Sequence, residues 1–156
     1  MIHKQIGLAL LMLLPLIGGA GAGFEVRSGE GPWIDIRPDE TESDALLRLG
    51  CHGYGLIDTH IGGIFDIGEG GHEAVSVTLS SGSLTAMVRG LSIYSEDSEL
   101  TGGTELLTAL MAGDDAFAVL TSGKEITLQG ARDKDERFTL GAETTAELKV
   151  FIEKCR

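Results

Sequence analysis

Three of the four histidines in this sequence, His52, His60 and His72, are the side chains best suited to binding a metal ion. Asp66 lies between the last two, and imidazole nitrogens together with a carboxylate oxygen are common zinc and copper ligands. The spacing matches neither His-x-x-x-His nor His-Glu-x-x-His, in which two ligands share one helix face. We therefore expect surface or partly buried histidines, and we keep these four residues as metal-site candidates without assigning a cofactor.

The segment DIGEGGHE at 66–73 is rich in the carboxylate oxygens that calcium prefers. It lacks the alternating Asp and Asn residues of an EF-hand loop, and the chain contains no Asn. Its glycines do not follow the Gly-x-Gly-x-x-Gly spacing of a phosphate-binding loop. We therefore expect a solvated connection between strands.

Nucleophilic catalysis has no recognisable motif here, because the chain contains no Gly-x-Ser-x-Gly turn. Carboxylate-based glycosidase chemistry stays open, since acidic residues are plentiful. We favour a non-catalytic protein. The alternative is a small secreted hydrolase, metal-assisted or carboxylate-based, that uses the run Asp58, His60, Asp66, Glu69, His72 and Glu73.

The N-terminal segment has the three parts of a secretory signal peptide. Lys4 lies in a short polar start, an apolar run covers 6–17, and Ala20 and Ala22 provide the small-residue exit. The apolar run is short for a membrane anchor, and no later stretch approaches the length of a span. We predict a cleaved signal peptide over 1–22, one globular domain over 23–156, a periplasmic or secreted location, and no stable membrane insertion.

Cys51 and Cys155 are the only cysteines in the chain. An even number of cysteines in an exported protein indicates a disulfide, and no Cys-x-x-Cys redox motif is present. A reactive free thiol is the other interpretation. A bridge closing so long a loop stabilises the fold by about 4–5 kcal/mol in the chain-entropy model.

The charge of the chain is strongly acidic, with 24 acidic against 12 basic residues and a net charge of −12. This balance excludes a general nucleic-acid binder, because little positive charge is available to neutralise phosphates. Acidic residues cluster at 39–44, 96–99 and 114–115. Such clusters are usually solvated surface, but they also suit electrostatic steering of a basic envelope protein, which is the partner we expect.

Alternating apolar and polar residues predict strands over 24–28, 33–37, 55–62, 75–79 and 84–94. Residues 45–51 suit a helix or a strand, and the glycine-rich context that follows favours a strand. We also predict an interrupted strand over 61–71, a hairpin joining 117–121 to 125–129, and a short strand over 138–140. This pattern is typical of a mainly β, α+β fold: an antiparallel, β-sandwich-like domain.

Two helices complete the prediction. Residues 104–112 have leucines at helical spacing, with Thr104 as the expected N-cap. Near the C-terminus, Thr144 and Glu147 have the spacing of a capping box. The apolar residues that follow recur on one helix face and include Cys155, so a disulfide would attach this helix to the sheet: Leu148, Phe151, Ile152 and Cys155.

The last third of the chain resembles small periplasmic proteins of the invasion-associated locus B type and related accessory proteins of type VI secretion. The likeness is carried by SGKEITLQG at 122–130, FTLGA at 138–142, and a final helix ending in FIEKC. The sequence departs from that pattern in having only two cysteines and an acidic, glycine-rich middle. The resemblance implies a periplasmic, mostly β, non-enzymatic module with no catalytic residues to transfer.

The sequence thus predicts an envelope protein that acts by binding a protein partner. A purely structural envelope component is a further alternative, since the same features suit a protein with no specific ligand.

Overall fold

The computed structural model describes residues 23–28, 31–38, 43–96, 99 and 102–156, so the predicted signal peptide lies outside the described residues. The strands are β1 (Phe24–Ser28), β2 (Trp33–Pro38), β3 (Leu47–Gly53), β4 (Leu56–Gly62), β5 (Gly71–Ser81), β6 (Leu84–Tyr94), β7 (Thr104–Met111), β8 (Ile126–Gln129) and β9 (Glu136–Phe138). The helices are α1 (Asp115–Leu120) and α2 (Ala142–Cys155).

The nine strands in the described part of the chain form one antiparallel sheet, in the order β1-β2-β3-β4-β7-β6-β5-β8-β9. Successive side chains of a strand point to opposite faces, so one face supplies the core and the other faces outward. In β2, Ile34 and Ile36 are buried, whereas Trp33, Asp35 and Arg37 alternate to the outer face. The predicted mainly β class is confirmed.

The sheet curls until its two edge strands approach each other. The rings of Phe24 in β1 and Phe138 in β9 lie 6.2 Å apart between centroids, and Phe65 contacts Phe138 at 5.9 Å. The Thr144 hydroxyl of α2 donates a 2.7 Å hydrogen bond to the carbonyl oxygen of Phe24. These contacts cover part of the β1 edge, which would otherwise expose unpaired backbone groups.

Both helices pack on the inner face of the sheet. α1 lies against β5 and β6, and α2 against β1 and β3. The buried side chains of both helices join the same core as the inward residues of the strands: Ala116, Phe117, Val119 and Leu120 from α1, and Leu148, Ile152 and Cys155 from α2. No helix in the described ranges is long and apolar enough to cross a membrane.

The predicted disulfide is confirmed. Cys51 on β3 bonds to Cys155 in the last turn of α2, with their Cα atoms 5.6 Å apart and a sequence separation of 104. The carbonyl oxygen of Cys155 also accepts a 2.9 Å hydrogen bond from the amide of Gly55. The C-terminus is therefore attached to the β3–β4 hairpin by both covalent and hydrogen bonds.

The helix predicted over 104–112 is wrong, because these residues form β7. Leu106 and Leu110 point toward the core, while Leu107 and Met111 alternate to the outer face. The apolar spacing imitates a helix because both faces of this strand carry leucine or methionine. Thr104 is not an N-cap; its amide donates to the Asp66 carboxylate at 3.0 Å.

The chain does contain one short internal helix, as the fold class predicts, but it is formed by other residues, Asp115–Leu120. α1 occupies most of the segment 117–121, for which a hairpin strand was predicted, and that prediction is wrong. Asp114 caps the helix, since its side chain accepts from the amide of Ala116 at 3.2 Å. The predicted strand after it is confirmed as β8, which pairs with β5 and β9.

The predicted C-terminal helix is confirmed, but its predicted capping box is wrong. α2 begins at Ala142 with Gly141 as N-cap, so Thr144 already lies within the first turn. Its hydroxyl is used in the contact with β1 instead of capping the helix. The predicted face is otherwise correct, because Leu148, Ile152 and Cys155 are buried.

Candidate functional site

The only tryptophan of the chain, Trp33, lies on the outer face of β2 and covers Gly50 of β3. A Cβ atom added at Gly50 would lie 2.5 Å from the Trp33 ring. The absence of a side chain at Gly50 therefore allows the indole to lie flat across the neighbouring strand. An aromatic ring that covers a glycine in this way also shields the strand backbone from water.

Two histidines flank this indole, each beside a carboxylate. The rings of His52 and His60 both lie edge-on to Trp33 at centroid distances of 6.4 Å. His52 Nε2 lies 2.6 Å from Asp58, and His60 Nδ1 lies 2.6 Å from Glu105. The first pair is exposed, whereas the Glu105 side chain is only 3% exposed. Each carboxylate fixes the orientation of its imidazole.

A chain of alternating charges borders the tryptophan. Arg37 binds Asp35 at 2.9 Å, and Asp35 also accepts from Arg48 Nε at 3.1 Å. Arg48 Nη1 lies 3.0 Å from Glu96, whose side chain is 74% exposed. Arg48 itself is 5% exposed, so the two carboxylates hold a nearly buried guanidinium in place.

A surface pocket of about 280 Å³ opens beside these groups. Its walls combine the indole of Trp33 with carboxylates and guanidinium groups: Arg27, Trp33, Ile34, Asp35, Arg48 and Glu96. An aromatic face next to carboxylates attracts a cationic side chain, both through the ring quadrupole and through charge. We call the outward-facing residues 25–27 of β1, 33–37 of β2 and 48–52 of β3 the charged face.

The outer face on the other side of β4 has a different chemistry. We call the outward-facing residues 74–80 of β5, 85–93 of β6 and 107–111 of β7 the neutral face, because Arg89 is its single charged residue. Its apolar side chains Met87, Leu91 and Met111 are exposed, and Met87 is 61% exposed. An outer sheet face usually carries polar residues, so this apolar surface is informative.

The structure brings together two of the four predicted metal candidates. His52 and His60 both flank Trp33, whereas Asp66 lies in the loop after β4 and His72 lies at the start of β5 with a φ of 64°. Among the described residues, no three His, Cys, Asp or Glu side chains converge as metal ligands. The metal-site prediction stays a prediction.

The acidic loop over 66–73 uses its carboxylates to organise its own backbone. Glu73 accepts hydrogen bonds from the amides of Glu69 and Gly71, and the Glu69 amide is the main reason why the pKa of Glu73 is lowered. Asp66 accepts from the Thr104 amide, and Arg132 donates to the carbonyl oxygen of Gly68. These interactions give the predicted strand connection a defined conformation.

Two of the predicted acidic clusters supply structural carboxylates. Asp44 is buried and accepts a 2.9 Å hydrogen bond from the Ser95 hydroxyl. Asp114 caps α1. Residues 39–42 of the cluster at 39–44 and residues 97–98 of the cluster at 96–99 lie outside the described residues. Of the residues near Trp33, Glu96 is the exposed member of a predicted cluster.

Sequence reasoning missed Trp33, Arg48 and Glu105 as members of the site. Glu105 was assigned to a helix, which removed it from the sheet that places it beside His60. A usable signal was present in β4, because Asp58 and His60 share one face of the predicted strand. The neighbours of that face depend on strand order, which the sequence pattern does not supply.

Comparison of the chain with protein-family models, with curated proteins and with solved structures found no match. The resemblance to the invasion-associated locus B type therefore stays a prediction, and the function has to be argued from the geometry of the molecule.

Proposed function

We propose that this chain is an exported, non-catalytic binding protein of the periplasm or cell envelope, and that it recognises a basic protein partner through the charged face. The observation that supports this proposal most strongly is Trp33, which lies on Gly50 and borders a pocket containing the carboxylates of Asp35 and Glu96. Tryptophan and arginine side chains dominate the binding energy of many protein interfaces.

The pocket suits a lysine or arginine side chain from the partner. The cation would contact the indole of Trp33, while Glu96, as the exposed carboxylate, would accept its hydrogen bonds. Arg48 would stay in place as a buried support for both carboxylates, since it is ion-paired with Asp35 and Glu96. The net charge of −12 would also accelerate encounter with a basic protein.

Export is supported by two independent features. The Cys51–Cys155 disulfide is of the kind that forms and persists in oxidising compartments. Residues 1–22 have the order of charged start, apolar middle and small-residue exit that is typical of a signal peptide. Together they favour the periplasm or the exterior of the cell as the location.

Cationic envelope hydrolases, including lysozymes, fit the expected partner. The test measures binding of lysozyme to the mature protein by interferometry at about 0.15 M salt, where exposed charges more than a Debye length apart are largely screened. We expect Trp33→Ala and Glu96→Gln each to weaken binding at least about tenfold, as loss of an interface anchor does. Glu125→Gln is the matched control, because it removes one exposed acidic charge outside the pocket.

Crosslinking in intact cells extends this test beyond lysozyme. We expect a basic envelope protein to crosslink to the wild-type chain, and we expect this crosslinked product to be absent with the Trp33→Ala variant. The proposal fails if no protein crosslinks, or if Trp33→Ala retains the same partners. It also fails if lysozyme and the crosslinked proteins bind Glu125→Gln and Glu96→Gln equally weakly, because the effect would then be one of net charge alone.

A small hydrolase is the second candidate, and the two histidine–carboxylate pairs favour it. An imidazole oriented by a carboxylate is the usual general base of hydrolytic sites. Within the described residues, neither imidazole hydrogen-bonds to a hydroxyl or thiol nucleophile. Metal analysis of the purified protein, with His52→Ala and His60→Ala as variants, tests this candidate. A stoichiometric metal that is lost from both variants would place it first.

A further inference from the structure

We propose that β6 and β7 of the neutral face, together with the adjoining outward residues of β4, bind a second copy of this chain and form a two-fold symmetric dimer whose axis runs along β7. This inference is independent of the partner proposed for the charged face. It rests on the composition of the neutral face and on the register of β4, β7 and β6.

The neutral face has the properties of an interface core and lacks those of a solvated surface. Both helices lie on the opposite side of the sheet, and Met87, Leu91 and Met111 are exposed on adjacent strands. Interface cores are depleted in charged residues and enriched in methionine. In a chain of which 23% of the residues are charged, the segments 74–80, 85–93 and 107–111, whose outward residues include one charge, form an unusual surface.

The register places one acidic and one basic side chain on opposite sides of β7. Asp58 of β4 is paired with Ala109 of β7, and Leu107 of β7 is paired with Leu91 of β6. Arg89 precedes Leu91 by two residues, and Ala109 follows Leu107 by two. Because antiparallel strands run in opposite directions, Arg89 and Asp58 flank β7 near the level of Ala109.

A two-fold axis along β7 makes this arrangement self-complementary. The rotation places β6 of each copy over β4 of the other, since these strands flank β7 on either side. Arg89 then faces Asp58 of the second copy, and the same contact recurs on the other side of the axis. Next to it, Met87 faces Leu56 of the second copy, which is also exposed and is paired with Met111.

Charge favours a second copy over other occupants of this face. Among the described residues, the Arg89 side chain has no ion pair or hydrogen bond within its own chain, so its guanidinium is available to a carboxylate of a second copy. Two copies with a net charge of −12 repel each other wherever acidic surfaces meet. The proposed contact contains one acidic side chain from β4 of each copy, Asp58, which lies 2.6 Å from His52 of its own chain and faces Arg89 of the other copy. Nucleic acid is a poor occupant, because its binding requires several basic side chains to neutralise phosphates and this face carries a single arginine.

Charge reversal provides the decisive experiment. Sedimentation equilibrium of the mature protein over a concentration series is expected to show a monomer–dimer equilibrium. Arg89→Glu and Asp58→Arg should each weaken the dimer at least about tenfold, because like charges then face each other across the axis. The double variant carrying both changes should recover most of the affinity, since the ion pair is restored with its polarity exchanged.

A matched control separates this effect from changes of charge or solubility. Val150 is an exposed apolar residue on α2, away from the neutral face, and Val150→Glu adds a negative charge there. We expect this variant to dimerise as the wild type does. Circular dichroism and melting curves on all variants check that the monomer stays folded, which is expected because the substituted side chains are at least partly exposed.

A wild-type chain that stays monomeric at millimolar concentration overturns the proposal. So does a dimer whose affinity is unaffected by Arg89→Glu, or one that the double variant fails to restore. A wild-type monomer that binds another protein through Met87 and Leu91 would assign the face to that protein instead. Lysozyme binding to the monomeric Arg89→Glu variant tests the charged face without the dimer. The two measurements therefore show which of the two proposals fails.

Discussion

The charged face and the neutral face lie on the same side of one sheet, yet they differ in how their side chains find partners. On the charged face, Asp35, Arg37 and Arg48 satisfy one another across β2 and β3. On the neutral face, the Arg89 side chain has no partner among the described residues and its apolar neighbours Met87 and Leu91 are exposed.

The difference shows that outward-facing side chains of a sheet can either bind one another or lack a binding partner within their own chain. The charged face already holds a network of ion pairs, so its pocket is formed before a partner binds. The neutral face exposes apolar area that gains free energy only when another surface covers it. This difference is why we propose recognition of a basic side chain for the first face and self-association for the second.

Removal of the disulfide should have the largest effect on stability. In the chain-entropy model, a bridge between residues 104 positions apart contributes about 4–5 kcal/mol to the free energy of unfolding. Cys51→Ala combined with Cys155→Ala should lower the melting temperature strongly. The bridge joins β3 to α2, so hydrogen exchange should accelerate more in β2 and β3 than in β5 and β6. Uniform acceleration across the sheet would contradict a local anchoring role of the bridge.

Loss of the buried Glu105 carboxylate beside His60 should have the second largest effect on stability. Glu105→Ala should lower the free energy of unfolding by about 2–4 kcal/mol, because it leaves a largely buried imidazole without its partner. The matched control is His52→Ala, which breaks an exposed pair of the same 2.6 Å geometry and should cost less than about 1 kcal/mol. Chemical denaturation measures both values, and equal losses would show that burial does not distinguish the two pairs.

Gly50→Ala tests whether the glycine is what allows Trp33 to lie on the sheet. The new methyl group would lie 2.5 Å from the indole, so the ring must move, at a cost of about 1–3 kcal/mol. Because Trp33 is the only tryptophan, its fluorescence reports this movement directly. Gly113→Ala is the control, since an added Cβ there meets no atom within 4 Å. An unchanged emission spectrum in Gly50→Ala would contradict the stacked arrangement.

Acid titration should report on the carboxyl group of Glu73, which lies at the start of β5 and binds the amides of the preceding loop. Backbone amides, that of Glu69 first, lower the pKa of Glu73 below its ordinary value of 4.5. A carboxyl group whose pKa is lower in the folded state stabilises the fold above pH 4.5, and this contribution is lost as the pH falls through the folded pKa. Glu73→Gln should therefore flatten the stability profile below that pH while changing it little in strongly acidic solution. Parallel profiles for wild type and variant would contradict this role.

The smallest effect on stability is expected on the neutral face itself. Met87→Thr should change the free energy of unfolding by less than about 0.5 kcal/mol, because the side chain is 61% exposed and contributes little to the core. The same substitution should weaken the dimer, since it removes apolar area from the proposed contact. A destabilisation of the monomer comparable to that of Gly50→Ala would show that Met87 is a core residue rather than an interface residue.

Local sequence patterns predicted most of the strands because alternation is a property of neighbouring residues. β1, β2, β6 and the buried face of α2 follow directly from such patterns. The same rule failed at β7, where Leu107 and Met111 are apolar although they face outward. The residues that misled the prediction are thus members of the neutral face, and the interface that we propose there would account for apolar residues at positions that are usually polar.

The candidate site was predictable only in part. His52 and His60 were recognised by residue type, and the disulfide by the number of cysteines and the expected compartment. The sequence did not indicate that the two histidines lie near Trp33, Arg48 and Glu105. Together these five residues come from β2, β3, β4 and β7, which are neighbours in the sheet although β7 is distant in sequence. Strand order depends on contacts between residues far apart in sequence, and no local pattern encodes them.

The sequence by itself determined the acidic charge, the cysteine pair, the alternating strands and the amphipathic final helix, since each depends on composition or on residues a few positions apart. Only the tertiary structure decided that Glu105 lies beside His60, that Trp33 covers Gly50, and that one half of the outer face is neutral. The physical reason is that pairing in a sheet joins distant segments. The partners of an outward-facing side chain are therefore set by strand order and register.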